Sequence, residues 1–562
     1  MIKKINEKYN YLNNENLYIG KDNLSIGYAD GGEAQMLDIL DKINDRSIFS
    51  DQLSAHMLNW PLEYHLSKKR HLIIRKFDIK KGDKVLELGA GCGAITRYLA
   101  EIGAEVTAVE GEYARAKVIA KRCEGFDNVS VVVDNLLDFK SEIKYDWILL
   151  IGVLEYSPKY GRTKNPAEEY LSIVKSMINE NGTLIVAIEN KLGIKYINGA
   201  SEDHNGIMQY GTQDLYGNNE ITTWGRHELI DIFRKSGFEE VVFNGVFPDY
   251  KLPKVIFTEA IVKNNRFRAE ELLLYVKSLD YQGNNGRFFD EALYASALRK
   301  NNLLLDFSNS FLIEATIRKN TIKSDEEILA YYYSMDRKST YITTTKFFAD
   351  HEDLMVEKEK LIMTDLAEIQ VFDSRGAKYL ISHIVNSSRE KYLDGRSLGY
   401  EFTRANASDK YNMITDILIK WTNKLTSDFA FYCRKSNQRI NVSEINGLIL
   451  SELLIDGLAF DCGPQNIISG SEDCSFDLEW VCNSPIPLSW VLTRNVNHIN
   501  RHAYVAKTQL TNENIVGLMA DLLGIKAFVG DVQEANFLET EFQRFVSNPE
   551  PSASVSLINL IV

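Results

Sequence analysis

Residues 84–93 read Lys-Val-Leu-Glu-Leu-Gly-Ala-Gly-Cys-Gly, and seventeen positions beyond Gly93 a second apolar run, Val106-Thr-Ala-Val, ends on Glu110. Val85–Leu88 has the pattern of a short buried strand, three alternate glycines follow at once, and Thr96–Ala100 opens a helix. Glycine permits a tight turn and lets a ligand lie against bare main chain. A carboxylate at the tip of the next strand is placed to hold a ribose diol through two hydrogen bonds. The stretch therefore implies a site for an adenosine-containing cofactor in the N-terminal third.

The order Glu87-x-Gly89-x-Gly91-x-Gly93 departs from the dinucleotide fingerprint. A pyrophosphate disfavours a neighbouring carboxylate, because like charges repel at low dielectric. A sulfonium cofactor, which carries positive charge, tolerates Glu87. Two more apolar runs follow. Asn128–Val133 closes on Asp134-Asn135, whose polar groups can read an adenine amino group, and Tyr145–Leu154 closes on Glu155-Tyr156. Four apolar strands with helical spacers predict a parallel sheet with crossover helices. Glu155 and Tyr156 then face the end of the sheet where ligands sit in open α/β folds.

These residues resemble class I S-adenosylmethionine-dependent methyltransferases over residues 60–260. The resemblance implies a Rossmann-like α/β domain in which Glu87, Gly89, Gly91 and Gly93 hold the methionine part of the cofactor. Glu110 would hold its ribose, and Asp134 and Asn135 its adenine. Methyl transfer from a sulfonium is an in-line displacement, so alignment is the enzyme's main task. A neutral hydroxyl acceptor needs a base, and His204, with an ordinary pKa of about 6.5, is the candidate. It can equally be a loop histidine bonded to Asp203. Lys191 and Lys195 bind a phosphate or, the favoured reading, simply solvate their loop.

A second constellation lies in Phe460-Asp-Cys-Gly-Pro-Gln-Asn466 and Phe476-Asp-Leu-Glu-Trp480. Phosphoryl transfer needs a carboxylate to accept a hydroxyl proton and an amide and a second carboxylate to hold Mg²⁺. The segment resembles the loops of protein-kinase-like folds, especially small-molecule kinases. That resemblance implies an α+β domain with Asp461 catalytic, Asn466 and Asp477 on the metal, and Lys346 on the phosphates of ATP, paired with Glu357 or Glu359 on a helix over His351–Leu366. The glycine-rich phosphate loop and the His-Arg before Asp461 are missing, which leaves open a catalytically dead scaffold.

The pairing of the two halves resembles bacterial surface-polysaccharide proteins, including O-antigen chain terminators that phosphorylate and methylate a terminal sugar. Four stretches carry this likeness: Ile151–Tyr156, Ala187–Tyr196, Glu202–His204 and Pro248–Pro253. It implies a glycan or sugar-phosphate acceptor. The alternative is a methyltransferase whose second half docks a glycosyltransferase.

At 562 residues several domains are expected. The boundaries read as an accessory segment over 1–60, a methyltransferase domain over 61–265, a helical connector over 266–305, a kinase-like domain over 306–530 and a tail over 531–562. A basic helix over Ser67–Phe77 follows Trp60–Leu66, a segment read as a lid or a surface helix. The net charge of −14 disfavours nucleic acid as a partner. No secretory leader and no membrane-length apolar run is visible, so a cytoplasmic place is expected, with peripheral association at the inner membrane face allowed. Six cysteines and nine histidines show no paired ligand spacing, so no zinc site is expected.

Overall fold

The computed structural model describes residues 9–20, 31–283, 287–319, 326–363, 368–385, 389–470, 473–501 and 510–547. Among them, a fourteen-stranded mixed sheet runs through most of the molecule. Its N-terminal strands are β1 (Tyr9–Leu12), β2 (Leu17–Gly20), β3 (Lys84–Leu88), β4 (Glu105–Glu110), β5 (Val129–Val133), β6 (Tyr145–Ile151) and β7 (Ile178–Glu189). They continue with β8 (Glu240–Phe247), β9 (Val255–Phe257), β10 (Ser310–Thr316), β11 (Glu326–Ser334), β12 (Thr343–Asp350) and β13 (Asp353–Lys360). A separate hairpin, β14 (Ile369–Phe372) and β15 (Lys378–His383), precedes the last sheet strand, β16 (Arg389–Lys391). Across the sheet the order is β1-β2-β5-β4-β3-β6-β7-β10-β8-β9-β11-β12-β13-β16.

Strands β2 to β7 pair in parallel, in the order just given. Their runs of Val, Leu and Ile are unbroken because both faces are covered. Among the helices before β5 are α1 (Glu33–Lys42), α2 (Asp51–Ser54), α3 (Trp60–Leu66), α4 (Ala94–Ile102) and α5 (Tyr113–Arg122). Ile95 and Leu99 of α4 and Ala116 and Ile119 of α5 pack on one face. Leu171 and Val174 of helix Pro166–Met177, with Leu229 and Phe233 of helix Arg226–Lys235, pack on the other.

Several elements differ from the sequence reading. β10 returns between β7 and β8, antiparallel to both, and the same sheet goes on through β11, β12, β13 and β16. A cut at 305/306 therefore runs through the sheet and not between separate ones. The basic helix expected over Ser67–Phe77 is absent. Helix α3 ends at an extended Ser67, the buried Lys68 turns inward to the Arg337 carbonyl, and a 3-10 turn covers Arg70–Ile74. The connector is helical only at Ala269–Leu273 and Glu291–Lys300, and 284–286 lie outside the described residues.

The charged helix expected over His351–Leu366 is strand β13; residues 364–367 lie outside the described residues. Its alternating charges find partners across strands rather than along a helix. Glu357 pairs with Lys346 on β12 at 2.7 Å and with Arg389 on β16 at 3.2 Å. The C-terminal body gathers five helices around Trp421, Trp480, Trp490 and Phe542. Helix Val529–Val546 supplies Val532, Leu538 and Phe542 to that core, so it belongs to the body rather than to a tail; 548–562 lie outside the described residues.

Candidate functional site

Gly89, Gly91 and Gly93 all adopt positive φ, at 72°, 58° and 75°. A Cβ added at Gly89 would stand 2.6 Å from Val153 Cγ2, so the bend and the loop after β6 are built against each other. The Glu110 carboxylate accepts the Gly91 amide at 2.8 Å on one oxygen and the Glu112 amide at 2.9 Å on the other. Each oxygen keeps a second lone pair for a ligand hydroxyl. Glu87 is buried and accepts the Thr96 hydroxyl at 2.6 Å. Burial pushes its carboxyl up to about 8, against the pull of Thr96 and Arg70.

At the tip of β5, the Tyr9 hydroxyl of the N-terminal hairpin donates to Asp134, and Asn135 accepts the Leu137 amide at 2.9 Å. Helix α3 covers the bend. Leu62 and Leu66 form one apolar cluster with Cys92, Met36 of α1 and Val118 of α5, and His65 lies beside Gly91. Its carbonyl accepts the buried Arg122 at 2.6 Å. The segment thus contacts the glycine loop itself, which fits the lid reading better than that of a plain surface helix.

Beyond Val153 three buried groups converge. Glu155 follows β6, Glu189 ends β7, and His204 comes from the loop after helix Ile194–Ile197. One ligand atom from each lies within 4.8 Å of the other two. Tyr156 sets its ring edge-on to His204, with centroids 5.6 Å apart. Tyr250 donates to Glu155 at 3.4 Å, and Lys251 reaches both Glu189 and Asp203. Asp203 also takes the buried Lys195 at 3.0 Å. His204 therefore does not lean on Asp203; its Nε2 faces Glu189 at 3.8 Å. Lys191 pairs with Asp214 and Glu228, so the two lysines expected to solvate the loop are held in ion pairs.

The electrostatics follow from burial and crowding. Burial, then the Glu189 charge, push Glu155 up to about 8. Burial opposes a charge on His204, but Glu189, Glu202 and Glu155 together raise it to about 9. Burial also works against an ionised Glu189, yet Lys251 and His204 hold it well below the carboxylate range. His204 is thus not a free neutral base. Glu189 was missed from sequence because it reads as the first residue of a polar insert, and no local spacing links it to Glu155 or His204.

In the C-terminal body Asn466 donates to the carbonyl of Asp461 at 3.0 Å and to that of Asp477 at 3.4 Å. Asp461 is buried, bonded to Arg494 at 3.1 Å and to the Trp480 amide at 3.0 Å. Asp477 pairs with Lys358 of β13, which also holds Glu479. Lys346 pairs with Glu357, one of the two partners expected for it, but across neighbouring strands and not from a helix. The lysine that meets Asp477 is Lys358.

Residues 59–275 match the family model of mycolic acid cyclopropane synthetase. Pavine N-methyltransferase of Thalictrum flavum subsp. glaucum is 29% identical over 119 residues, 20% of this chain and 32% of that protein. Ribosomal RNA small subunit methyltransferase A of Lachnoclostridium phytofermentans is 32% identical over 108 residues, 19% and 34% of the two chains. The chain thus spans about a third of the length of these relatives. Among solved structures, Haemonchus contortus phosphoethanolamine N-methyltransferase 2 with S-adenosyl-L-methionine is 16% identical, covering 52% of this chain and 61% of its own, at a TM-score of 0.29. That score carries no argument. The matched segment is a Rossmann-like methyltransferase fold of mixed α/β class. Among the described residues no helix is long and apolar enough to cross a membrane.

Proposed function

We propose that the chain transfers a methyl group from S-adenosylmethionine to an oxygen of a glycan or sugar phosphate in surface-polysaccharide synthesis. One observation carries this. The four stretches that resemble surface-polysaccharide proteins are spread over residues 151–253, and they bring Glu155, Tyr156, Glu189, Lys195, Asp203, His204 and Lys251 into one site. Val153 joins that site to the glycine bend. The cofactor lies along Gly89–Gly93 with its ribose at Glu110 and its adenine at Asp134 and Asn135. The acceptor oxygen meets the methyl carbon in line with sulfur, the O–CH₃ bond forms as CH₃–S breaks, and the electron pair leaves on a neutral thioether. The acceptor's proton leaves at the Glu155–Glu189–His204 cluster. Incubation with labelled S-adenosylmethionine and fractionated cell-envelope glycan precursors tests this. Label is expected in an acid-stable methyl ether or a methyl phosphate; label on amines, or none on any glycan, contradicts it.

For the C-terminal body we propose the docking role, with a glycosyltransferase as partner. In support, Asp461 is buried against Arg494 and Asp477 is paired with Lys358, so each already has a cation of the protein beside it. Magnesium-dependent ATP turnover that vanishes in Asp477→Ala would replace this reading with a kinase, Lys358 taking the part expected of Lys346.

A further inference from the structure

We infer that Glu155, Glu189 and His204 form a binding site for one divalent first-row metal cation. Both glutamates are fully buried, and each makes a hydrogen bond through one oxygen only: Glu155 Oε1 accepts Tyr250, and Glu189 Oε1 accepts Lys251. The second oxygen of each, with His204 Nε2, is buried and has no hydrogen-bond partner. One ligand atom from each of the three residues lies within 4.8 Å of the other two, and Glu189 Oε2 stands 3.8 Å from His204 Nε2, too far for a hydrogen bond. A buried polar atom without a partner costs about 1–3 kcal/mol, so three facing one space mark a place for something that bonds them all.

The chemistry narrows the occupant. Two carboxylate oxygens and an imidazole nitrogen, when deprotonated, are all acceptors, which is the donor set a cation needs. Metal–ligand bonds of about 2.0–2.2 Å place neighbouring donors about 3–4 Å apart, close to the spacing found here. Imidazole beside carboxylate suits Mn²⁺, Fe²⁺ or Zn²⁺ rather than Ca²⁺. The surrounding charge agrees. Glu155, Glu189, Glu202, Asp203 and Asp249 face the buried cations Lys195 and Lys251 and the imidazole of His204. Tyr250 and Lys251 fix the outer carboxylate oxygens, which orients the inner ones, as outer-shell partners do in metal sites. Sequence spacing hid the site, since its ligands come from three separate segments of the chain.

The use of the site, but not its existence, rests on the methyl-transfer reading. A cation held there would lower the pKa of an acceptor hydroxyl bound to it, so that water could carry off the proton that the metal-free cluster would otherwise take.

The test is Mn²⁺ titration of the metal-stripped full chain, followed by electron paramagnetic resonance, with Zn²⁺ as competitor. One Mn²⁺ per chain is expected in the wild type, weakened at least tenfold in both Glu155→Gln and His204→Ala and unchanged in Asp477→Asn. Binding of S-adenosylhomocysteine, the demethylated cofactor, is measured on each variant to show that the neighbouring bend is folded. No bound Mn²⁺ in the wild type, or binding that survives both substitutions, overturns the proposal. A wild type that binds Mn²⁺ but no S-adenosylhomocysteine upholds the cation site and removes the methyltransferase.

Discussion

The two polar constellations of this chain are both built on carboxylates and differ in how fully those carboxylates are partnered. Around Glu155, Glu189 and His204, Glu189 has met Lys251 through one oxygen, but Glu155 Oε2, Glu189 Oε2 and His204 Nε2 are buried without a hydrogen bond. Around Asp461 and Asp477, each carboxylate has met a protein cation, Arg494 in one case and Lys358 in the other. Burying an ionised group is costly unless it is paired. A fold that leaves such groups unpaired keeps a space for a ligand, whereas one that pairs them has turned them into structure. Motif spacing alone does not separate these outcomes; the partners do.

The comparison can be broken by substitutions on either side. The largest effect is expected at the acceptor cluster: Glu155→Gln lowers methyl transfer about 10²- to 10⁴-fold, the usual range for a group that handles the acceptor's proton, without changing S-adenosylhomocysteine affinity. A joint loss of both would make Glu155 a structural residue.

Glu87 gives a pH test. Its carboxyl is raised to about 8 in the folded chain, so between pH 4.5 and 8 the folded state holds a proton that the unfolded state has released. Stability therefore falls across that window, by up to about 5 kcal/mol from this group. Urea denaturation of wild type and Glu87→Gln from pH 5 to 9 should show the decline in the wild type and a flatter profile in the variant.

On the other side, Asp461→Ala strips Arg494 of one partner and the Trp480 amide of its acceptor, leaving Glu539 at 2.6 Å. A loss of about 2–3 kcal/mol is expected in chemical denaturation, with methyl transfer per folded molecule unchanged. Lys346→Met, which breaks a partly exposed cross-strand pair, should cost less than about 1 kcal/mol. A large loss of nucleotide binding in either variant would return the C-terminal body to the kinase reading.

Much of the N-terminal site was legible because its signals are local. A strand, a glycine turn and a helix start follow one another within residues 84–102, and strand tips carry Glu110, Asp134 and Glu155. What escaped was long-range. Ser310–Thr316 pairs with strands more than sixty residues earlier, and nothing local in Phe-Leu-Ile-Glu-Ala says which sheet it joins. The charges of Asp353–Lys360 fit a helix face as well as cross-strand pairs until the neighbouring strand is known. Glu189 looked like loop because its partners, Lys251 and His204, are set by tertiary contact.

The most direct test is calorimetric titration of S-adenosylhomocysteine into the wild-type chain and into Gly89→Ala, whose new Cβ would press on Val153 from a positive-φ position. The account predicts one site per chain in the wild type and about 100-fold weaker binding in the variant, from strain and overpacking together. No heat with well-folded wild-type protein, or equal affinity in both, would contradict it.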